Sequence, residues 1–565
     1  MKYKVIGKND IFNVRDCVFK NRGIENINEY INLDDSCLIP FGKLDNINDA
    51  VDTYLKHIHS PNSHITIVVD PDCDGICASA ELYNYTKTNF PDANISYVMH
   101  TGKQHGLSDD VVIPQNTTLI ILPDGGTNDA EQCQYYKEQG IDIIILDHHI
   151  QDKDNPYAII VNNQCSADYP NKNLCGAGIV YKFLQAVDEA EWIEDADNYL
   201  DLVAVGNIGD IMDMRSYETK RLVTKGLSHI KNKAIKGFIK AQEYSIKNHL
   251  NIHAVTFYIT PLINAMCRCG DMDEKSILFR AFIETDEEFD YKKRGQTETI
   301  QETIYDRAAR LCKNTKAKQD KAVQKALPEL KDWIEKKKVY EHPIMFVKAD
   351  SLSSSFTGLV AIKLADCYNK PCLVLRKRAN GNYGGSARNN NYSPIEQLKN
   401  TLNETEMFEF CQGHEGAFGF EIQANKVADT INLCKERFGN LDFETMSVDF
   451  ELDFEDFDIR FIRDIDNLAD YYGTGIKEPR IIITNIILQK NQGVIMGKDN
   501  STWKFITDDN IAFIKFKNDE NDKVLAWLNS DDNSEIIINA FCEVGFNDYG
   551  GVLTPQAQIK EYEVI

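Results

Sequence analysis

Carboxylates and a pair of imidazoles concentrate in four short segments of one N-terminal stretch: Asp70-Pro71-Asp72-Cys73-Asp74-Gly75, Asp124-Gly125-Gly126, Asp147-His148-His149 and Gly209-Asp210. Hard oxygen donors joined by one or two imidazoles suit a pair of Mn²⁺ or Mg²⁺ ions, whereas a zinc site more often recruits thiolates. The chemistry indicated is metal-assisted phosphodiester hydrolysis, in which two ions activate water and steady the attacking and leaving oxygens without a protein nucleophile. If Asp70-x-Asp72-x-Asp74 is extended, its alternate carboxylates share one side, and Gly75 permits a sharp turn into a following helix. Adjacent histidines at a strand end can divide the labour, His148 on metal and His149 toward the substrate phosphate. Asp124, placed centrally, would bridge both ions, Asp210 would complete the second, and Asp70 would stand behind the ligands or serve as an alternate one. The catalytic set is therefore Asp72, Asp74, Asp124, His148, His149 and Asp210, and the metal set is Asp70, Asp72, Asp74, Asp124, His148 and Asp210. Taken singly, each of these residues is an ordinary turn or cap residue. The set carries the inference. A calcium loop shares the D-x-D-x-D-G lettering and Glu81 falls at its terminal offset, but the preceding Ile65-Thr66-Ile67-Val68-Val69 is β-branched where that motif needs a helix.

The first three segments follow the apolar runs Ile65–Val69, Leu119–Leu122 and Ile143–Leu146, so each reactive side chain sits where a buried strand runs out. In an open α/β sheet that edge is where ligands bind. Short β runs alternate with helical stretches from 65 to about 215, which predicts βαβ units on a largely parallel sheet. Ahead of them, residues 1–60 read as a helical lead-in, with apolar positions 47, 50, 51, 54 and 55 at helical spacing. Residues 296–339, rich in Lys, Gln, Glu and Ala and interrupted by Pro328, read as long exposed linking helices. Their lysines 313, 316, 318, 321 and 325 make a solvated face or, as the lesser reading, a stripe facing DNA. A second α/β unit spans about 342–440, with strands at 343–347 and 372–375, a helix at 358–365 and two glycine-rich turns. After a linker near 441–470, β runs at 481–488, 511–516 and 536–541 suit a small barrel or sandwich. The domains expected are 1–60, 61–290, 291–341, 342–440 and 441–565.

The chain of 565 residues is too long for one core, and its 43% hydrophobic content can fill several. Its 15 cysteines include no Cys-x-x-Cys pair and read as reduced thiols. No apolar run approaches the ~20 residues that cross a bilayer, and the start lacks a signal-peptide core, so a cytoplasmic protein is expected. A net charge of -25 argues against sequence-blind coating of DNA, yet residues 441–565 alone hold 25 acidic and 11 basic side chains. A local basic groove elsewhere stays open.

In order and spacing the four segments resemble the DHH phosphoesterase superfamily, named for the Asp-His-His triplet, and later segments resemble its RecJ-like single-strand exonucleases. Asn162 to Lys182, with Asp168-Tyr169-Pro170 and Gly176-Ala177-Gly178, is similar to the stretch between the family's third and fourth motifs. Pro261-Leu262-Ile263-Asn264-Ala265-Met266-Cys267-Arg268 resembles its Pro-x-x-Asn-Ala-x-Gly-Arg segment. Gly384-Gly385-Ser386-Ala387-Arg388 and Gly413-His414-Glu415-Gly416-Ala417-Phe418-Gly419 are similar to the two glycine motifs of the DHH-associated domain. Tyr471 to Pro479 and Asn547-Asp548-Tyr549-Gly550-Gly551 are similar to segments before and near the end of the family's OB-type domain. Cys267 stands where the family usually has Gly, Gln412 where a second Gly usually precedes Gly413, and Gly102-Lys103-Gln104-His105-Gly106-Leu107 loosely resembles an Arg-bearing substrate loop.

The resemblance implies an α/β fold: a DHH catalytic lobe on a mostly parallel sheet, long linking helices, a DHH-associated substrate-binding domain and a C-terminal β-rich OB-like domain. It further implies a cleft that admits a single DNA strand, releases 5′-mononucleotides in the 5′ to 3′ direction, and serves recombination, repair or replication. His149, Arg268, Gly385, Ser386, Arg388, Gly413, His414 and Gly416 would contact the substrate, the guanidiniums by paired bonds to phosphate and the glycines by letting backbone amides approach it. Tyr383 and Tyr392 could stack bases, though packing is the commoner use of tyrosine. The cofactors implied are two divalent cations, Mn²⁺ or Mg²⁺. The partners are single-stranded DNA and a single-strand-binding or other replication or repair protein, with no membrane, for a monomer in a bacterial cytoplasm or a phage's host. A nanoRNase or cyclic-dinucleotide phosphodiesterase of the same superfamily is the near rival, but such proteins usually stop after the associated domain. Inorganic pyrophosphatases begin their first motif with a metal-binding His. A replication scaffold that kept the fold without catalysis would be free to lose a ligand, and none is missing.

Overall fold

The first sheet is built around runs of β-branched residues and leucine that are buried on both faces in its inner strands, as parallel strands covered by helices must be, with a half-buried strand at one edge. In the computed structural model, which describes all residues from 1 to 565 except 103, 109, 110, 248, 294, 296, 391, 392, 519, 520, 533 and 550, these runs are β1 (Ile65–Val69), β2 (Ile95–Met99), β3 (Leu119–Pro123), β4 (Asp142–Asp147) and β5 (Ile159–Asn162). Lys103, Tyr392 and Gly550 lie outside the described residues. The order is β2-β1-β3-β4-β5 with every pair parallel. Strand order therefore reverses between β1 and β3, and the carboxyl ends at such a switch point are where open α/β sheets bind ligands.

Helices α1 (Cys73–Asn89), α2 (Gly176–Glu191), α3 (Leu200–Gly209) and α4 (Thr260–Cys269) accompany this sheet. The chain divides into two compact units, and all of these elements belong to the one formed by Asn26–Lys318 and Asp470–Lys477. The helix predicted around 47–55 runs Ile47–Ile58 and buries Ile47, Ala50, Val51 and Tyr54. The short segment at 470–477 joins this unit through hydrogen bonding of Met214 N to Thr474 O at 2.9 Å and through the Lys220 ammonium, 4.2 Å from the Tyr471 ring.

The other unit combines Met1–Glu25, Gln319–Ala469 and Glu478–Ile565. Its first sheet holds β6 (Met345–Lys348), β7 (Cys372–Lys377), β8 (Tyr383–Arg388), β9 (Phe408–His414) and β10 (Ala417–Ile422), in the order β9-β10-β8-β7-β6. Its second holds seven strands, among them Phe450–Asp453, Ile481–Leu488 and the long hairpin Ile536–Tyr549/Val552–Val564. A parallel pair, Tyr3–Val5 with Met446–Val448, ties the first residues to this unit.

Several local expectations are corrected. Residues 304–337 form one helix, α5, that passes through Pro328 unbroken. Residues 441–470 are not a linker but contain two short strands and the helix Ile459–Asp466. Residues 1–60 carry a strand as well as helices. The Gly384–Arg388 segment is a strand rather than a turn, paired with β7 on one side and β10 on the other, so its amides are committed to the ladders. Gly413 to Gly419 straddles a tight hairpin turn at Glu415 and Gly416. All fifteen cysteines are free thiols, and no helix among the described residues is long and apolar enough to cross a membrane.

Candidate metal centre

The polypeptide leaves β1 through Asp70 and enters α1 at once, because Asp72 caps that helix by accepting a bond from Gly75 N at 3.0 Å. Strand, cap and helix follow without the entering helix a calcium loop requires. Gly75 is needed for space, not for a turn: a Cβ there would stand 2.4 Å from Asp70 Cβ. Asn264 of α4 braces the same loop, its side-chain oxygen accepting from Cys73 N at 3.0 Å.

Asp74, one residue into α1, is buried and clasped by the start of α2, with Gly176 N donating to Oδ2 at 2.6 Å and Ala177 N to Oδ1 at 3.0 Å. A helix N-terminus favours a carboxylate. Asp124 follows β3 with φ 67°, a left-handed conformation that aims its carboxylate back over the strand ends. His148 follows β4, and Asp210 caps the C-terminus of α3. The His148 Nε2 atom lies 3.2 Å from Asp124 Oδ1, 3.3 Å from Asp210 Oδ2 and 3.9 Å from Asp74 Oδ2.

These side chains group into three overlapping constellations whose donor atoms lie within 4.8 Å of one another: Asp124 with His148 and His149, Asp74 with His148 and Asp210, and Asp70 with Asp72 and Asp124. Asp124 and His148 are each shared by two of the groups. Burial and then repulsion from Asp210 and Asp72 push the Asp74 carboxyl up to about 7. Burial, followed by the charges of Asp74, Asp72, Asp70 and Asp210, drives Asp124 well above the usual carboxylate range. Asp124 Oδ1 is buried and accepts no hydrogen bond of ordinary geometry. Crowded buried anions of this kind call for a cation, and oxygen donors with an imidazole match a hard divalent ion.

Asp147, to which the sequence assigned no role, organises the triplet. It is buried and accepts from Thr127 Oγ1 at 2.6 Å, His148 N at 2.7 Å and His149 Nδ1 at 2.7 Å. Burial alone would raise its carboxyl, but the His149 charge and bond, His148 and Thr127 hold it far below the usual range. Burial lowers His149, and Asp147, Asp210 and Asp70 more than reverse this to hold the imidazole at about 10. Asn162 steadies the arrangement by donating to Thr127 Oγ1 and to His149 O. Another contributor is His105, which the sequence placed in the loosely matching Gly102–Leu107 loop without a role of its own. Its Nδ1 lies 2.6 Å from Asp70 Oδ2, and Asp70, against the cost of burial, holds it up at about 9.

The structure thus brings Asp70, Asp72, Asp74, Asp124, His148, His149 and Asp210 together in one unit, with Arg268 exposed on α4 one turn beyond Asn264. Gly385, Ser386, Arg388, Gly413, His414 and Gly416 belong to the other unit. There Ser386 Oγ lies 2.8 Å from Thr357 Oγ1 at the start of helix α6 (Thr357–Tyr368), and a Cβ on Gly358 would stand 2.6 Å from an Arg388 guanidinium nitrogen. Ser386, Arg388 and a helix N-terminus therefore converge, an arrangement suited to an anion. Tyr383 is half-buried against the core with Lys348 over its ring. Lys313, Lys318, Lys321 and Lys325 of α5 are exposed.

The profile of the "DHH family, N-terminal domain" matches residues 64–207, and that of the "RecJ OB domain" matches residues 448–561. The chain is 38% identical over 574 aligned residues to the putative SPbeta prophage-derived single-strand DNA-specific exonuclease YorK of Bacillus subtilis (strain 168), covering 100% of this chain and 98% of that one. It is 25% identical to the single-stranded-DNA-specific exonuclease RecJ of the same organism over 80% of this chain, and spans 55% of that relative's length. Among solved structures, RecJ from Thermus thermophilus in complex with Mn²⁺ shares the fold with TM-score 0.72 at 17% identity, over 97% of this chain and 76% of that chain. The Mg²⁺ complex of that protein gives TM-score 0.67 at 16% identity, over 97% and 74%.

Proposed function

Since the chain belongs to the DHH superfamily and, within it, to the RecJ-like single-strand DNA-specific exonucleases, we propose that it hydrolyses single-stranded DNA from the 5′ end, releasing 5′-mononucleotides. The observation that supports this most is the cluster at the switch point, where carboxylate oxygens of Asp74, Asp124 and Asp210 all lie within 4 Å of His148 Nε2.

Asp72, Asp74, Asp124, His148 and Asp210 would hold two divalent cations, Mn²⁺ or Mg²⁺, with Asp70 at the edge of the set. Such ions activate water and offset charge on the attacking and leaving oxygens of a phosphodiester. The chain's own groups supply orientation. Asp147 fixes His149 through Nδ1 and keeps it cationic, so its other nitrogen can donate to the scissile phosphate. The start of α2 fixes the Asp74 carboxylate by two backbone N–H bonds, which oppose part of the rise that burial imposes. Arg268 would hold a phosphate in its own unit, and Arg388, Ser386, His414 and the Gly413–Gly416 hairpin would offer a separate phosphate-binding set in the other. Because the β8 amides are spent on the sheet, that contact falls to the Ser386 and Arg388 side chains and not to the backbone of Gly385. The division into catalytic lobe, associated substrate-binding domain at 342–440 and OB-like β domain, and a cytoplasmic role in recombination, repair or replication, belong to this reading.

The test is digestion of one sequence as single strand, duplex and dinucleotide, with Mn²⁺ or EDTA, beside Asp124→Ala. Metal-dependent loss of the single strand alone, abolished in the variant, is expected. Preference for the dinucleotide would move the protein to the nanoRNase branch, and cleavage of none would leave a scaffold.

A further inference from the structure

The Asp147–His149 pair has a counterpart that also borders Asp124. Asp70 is 2% exposed, and its two oxygens are taken by one loop: Oδ2 by His105 Nδ1 at 2.6 Å and Oδ1 by Gly106 N at 3.4 Å. The same loop is pinned again where Leu107 N donates to Asp129 at 2.8 Å and the Leu107 side chain enters the core beside Val68 and Ile120. The loop lies against the Asp124 turn so closely that a Cβ on Gly125 would stand 3.3 Å from Asp70 Oδ1 and 3.4 Å from Gly106 N. The His105 side chain is nevertheless 59% exposed, and that of His149 is 46% exposed. In each pair a buried carboxylate binds Nδ1, and Nε2 makes no hydrogen bond to the described residues. Both pairs border the same group, because oxygens of Asp70 and a nitrogen of His149 each fall within 4.8 Å of Asp124.

We propose that His105 is a second imidazole contact for the phosphate cleaved at this centre, working with His149 as a pair of donors fixed by buried aspartates. This rests on the phosphodiester hydrolysis proposed above. A loop needed only for packing would be secured by Leu107 and Asp129; the additional bond from Asp70 immobilises an exposed polar ring at the rim of the metal cluster. A phosphodiester anion offers two unbridged oxygens, one for each imidazole.

The experiment uses the full chain with Mn²⁺ and compares wild type with His105→Gln, His105→Lys, His149→Gln and the His105→Gln/His149→Gln double variant. Glutamine keeps a donor for Asp70 but supplies no imidazole. Mn²⁺ affinity, dTMP affinity in the presence of Mn²⁺, and kcat and KM on single-stranded DNA are measured for each. His105→Gln should bind Mn²⁺ within about twofold of wild type yet lose dTMP affinity and kcat/KM by about 10- to 100-fold, the range of one charge-assisted hydrogen bond. His105→Lys should recover part of the loss, and the double variant should fall short of the product of the single losses. Unchanged dTMP affinity and rate in His105→Gln would overturn the proposal. So would a loss matched by loss of Mn²⁺, which would make His105 a support for Asp70 only, or a wild type that binds no dTMP. If wild type binds dTMP but leaves single-stranded DNA intact, the nuclease reading fails while the dTMP comparison still decides the role of His105.

Discussion

Asp147 never needs to touch metal or substrate to matter, because five donors converge on its two oxygens and set where both triplet imidazoles point. Replacing Asp147 by Asn should lower the nuclease rate by about 10- to 100-fold, the usual cost of removing a group that orients ligands, while the chain stays folded. A rate within about twofold of wild type in a single-turnover assay would show that the backbone alone places His148 and His149. Protonation gives a second prediction at this scale. Asp74 rises from 3.8 to about 7 on folding, so folding favours its neutral form, and the metal-free chain loses that contribution progressively as pH climbs from about 4 to about 7. The raised His105 and His149 act in the same sense, their contributions being complete below the ordinary imidazole range and lost as pH rises through about 9 and about 10. In EDTA, the chain should therefore melt at a higher temperature near pH ~5.5 than near pH ~8, and Mn²⁺ should shrink or reverse that difference, since only the ionised carboxylates bind it. Equal melting temperatures in EDTA at both pH values would contradict the electrostatic picture.

At the scale of elements, the site depends on how closely three helices approach the strand ends. A Cβ on Gly176 would stand 2.5 Å from Asp124 Cβ, and one on Gly206 would stand 2.5 Å from Asp74 Oδ1. Gly176→Ala and Gly206→Ala should each cost about 1–3 kcal/mol in denaturant unfolding, the range for overpacking, and should weaken Mn²⁺ binding as well. Full stability in either variant would mean that the helix shifts freely. The strands themselves were legible, because Ile65–Val69, Leu119–Leu122 and Ile143–Leu146 are continuous β-branched or leucine runs that have no other stable use at that length. The ligands were legible because each closes such a run. The clasp of α2 on Asp74 and the brace from Asn264 were not, since they are bonds between residues 103 and 191 positions apart that leave no local periodicity. His105 stayed unassigned for the same reason: its partner Asp70 is 35 residues away. The glycines of Gly384–Arg388 misled because glycine pairs usually mark turns, whereas Gly385 sits in a strand where a Cβ would strike Val374 O at 1.8 Å. Pro328 misled likewise, α5 being long enough to absorb one missing amide bond.

At the scale of the molecule, the two ends of the chain are parts of one unit. Arg22 makes a paired contact with Asp449, at 2.6 and 3.0 Å, with both side chains largely buried. Asp449→Ala strands that guanidinium and should cost about 3–5 kcal/mol, read by denaturant unfolding, with the N-terminal segment ahead of Asn26 becoming protease-sensitive. An unfolding midpoint unchanged from wild type would mean that the N-terminal segment is held by the Tyr3–Val5 strand alone. Nearly all of the excess of acid after residue 440 sits on this same unit, so on the proposed function DNA affinity rests on local cations and should fall steeply with added salt. On the proposed function, this carboxylate–imidazole cluster with its bound ions removes nucleotides from the 5′ end of a single strand. The direct measurement is a time course on one single-stranded oligonucleotide labelled at the 5′ end in one reaction and at the 3′ end in another, with Mn²⁺. Labelled mononucleotide is expected from the first sample at the earliest time point and a ladder of shortening products from the second, both lost with EDTA or Asp124→Ala. Internal cuts in both samples, or immediate mononucleotide release from the 3′ label, would contradict it.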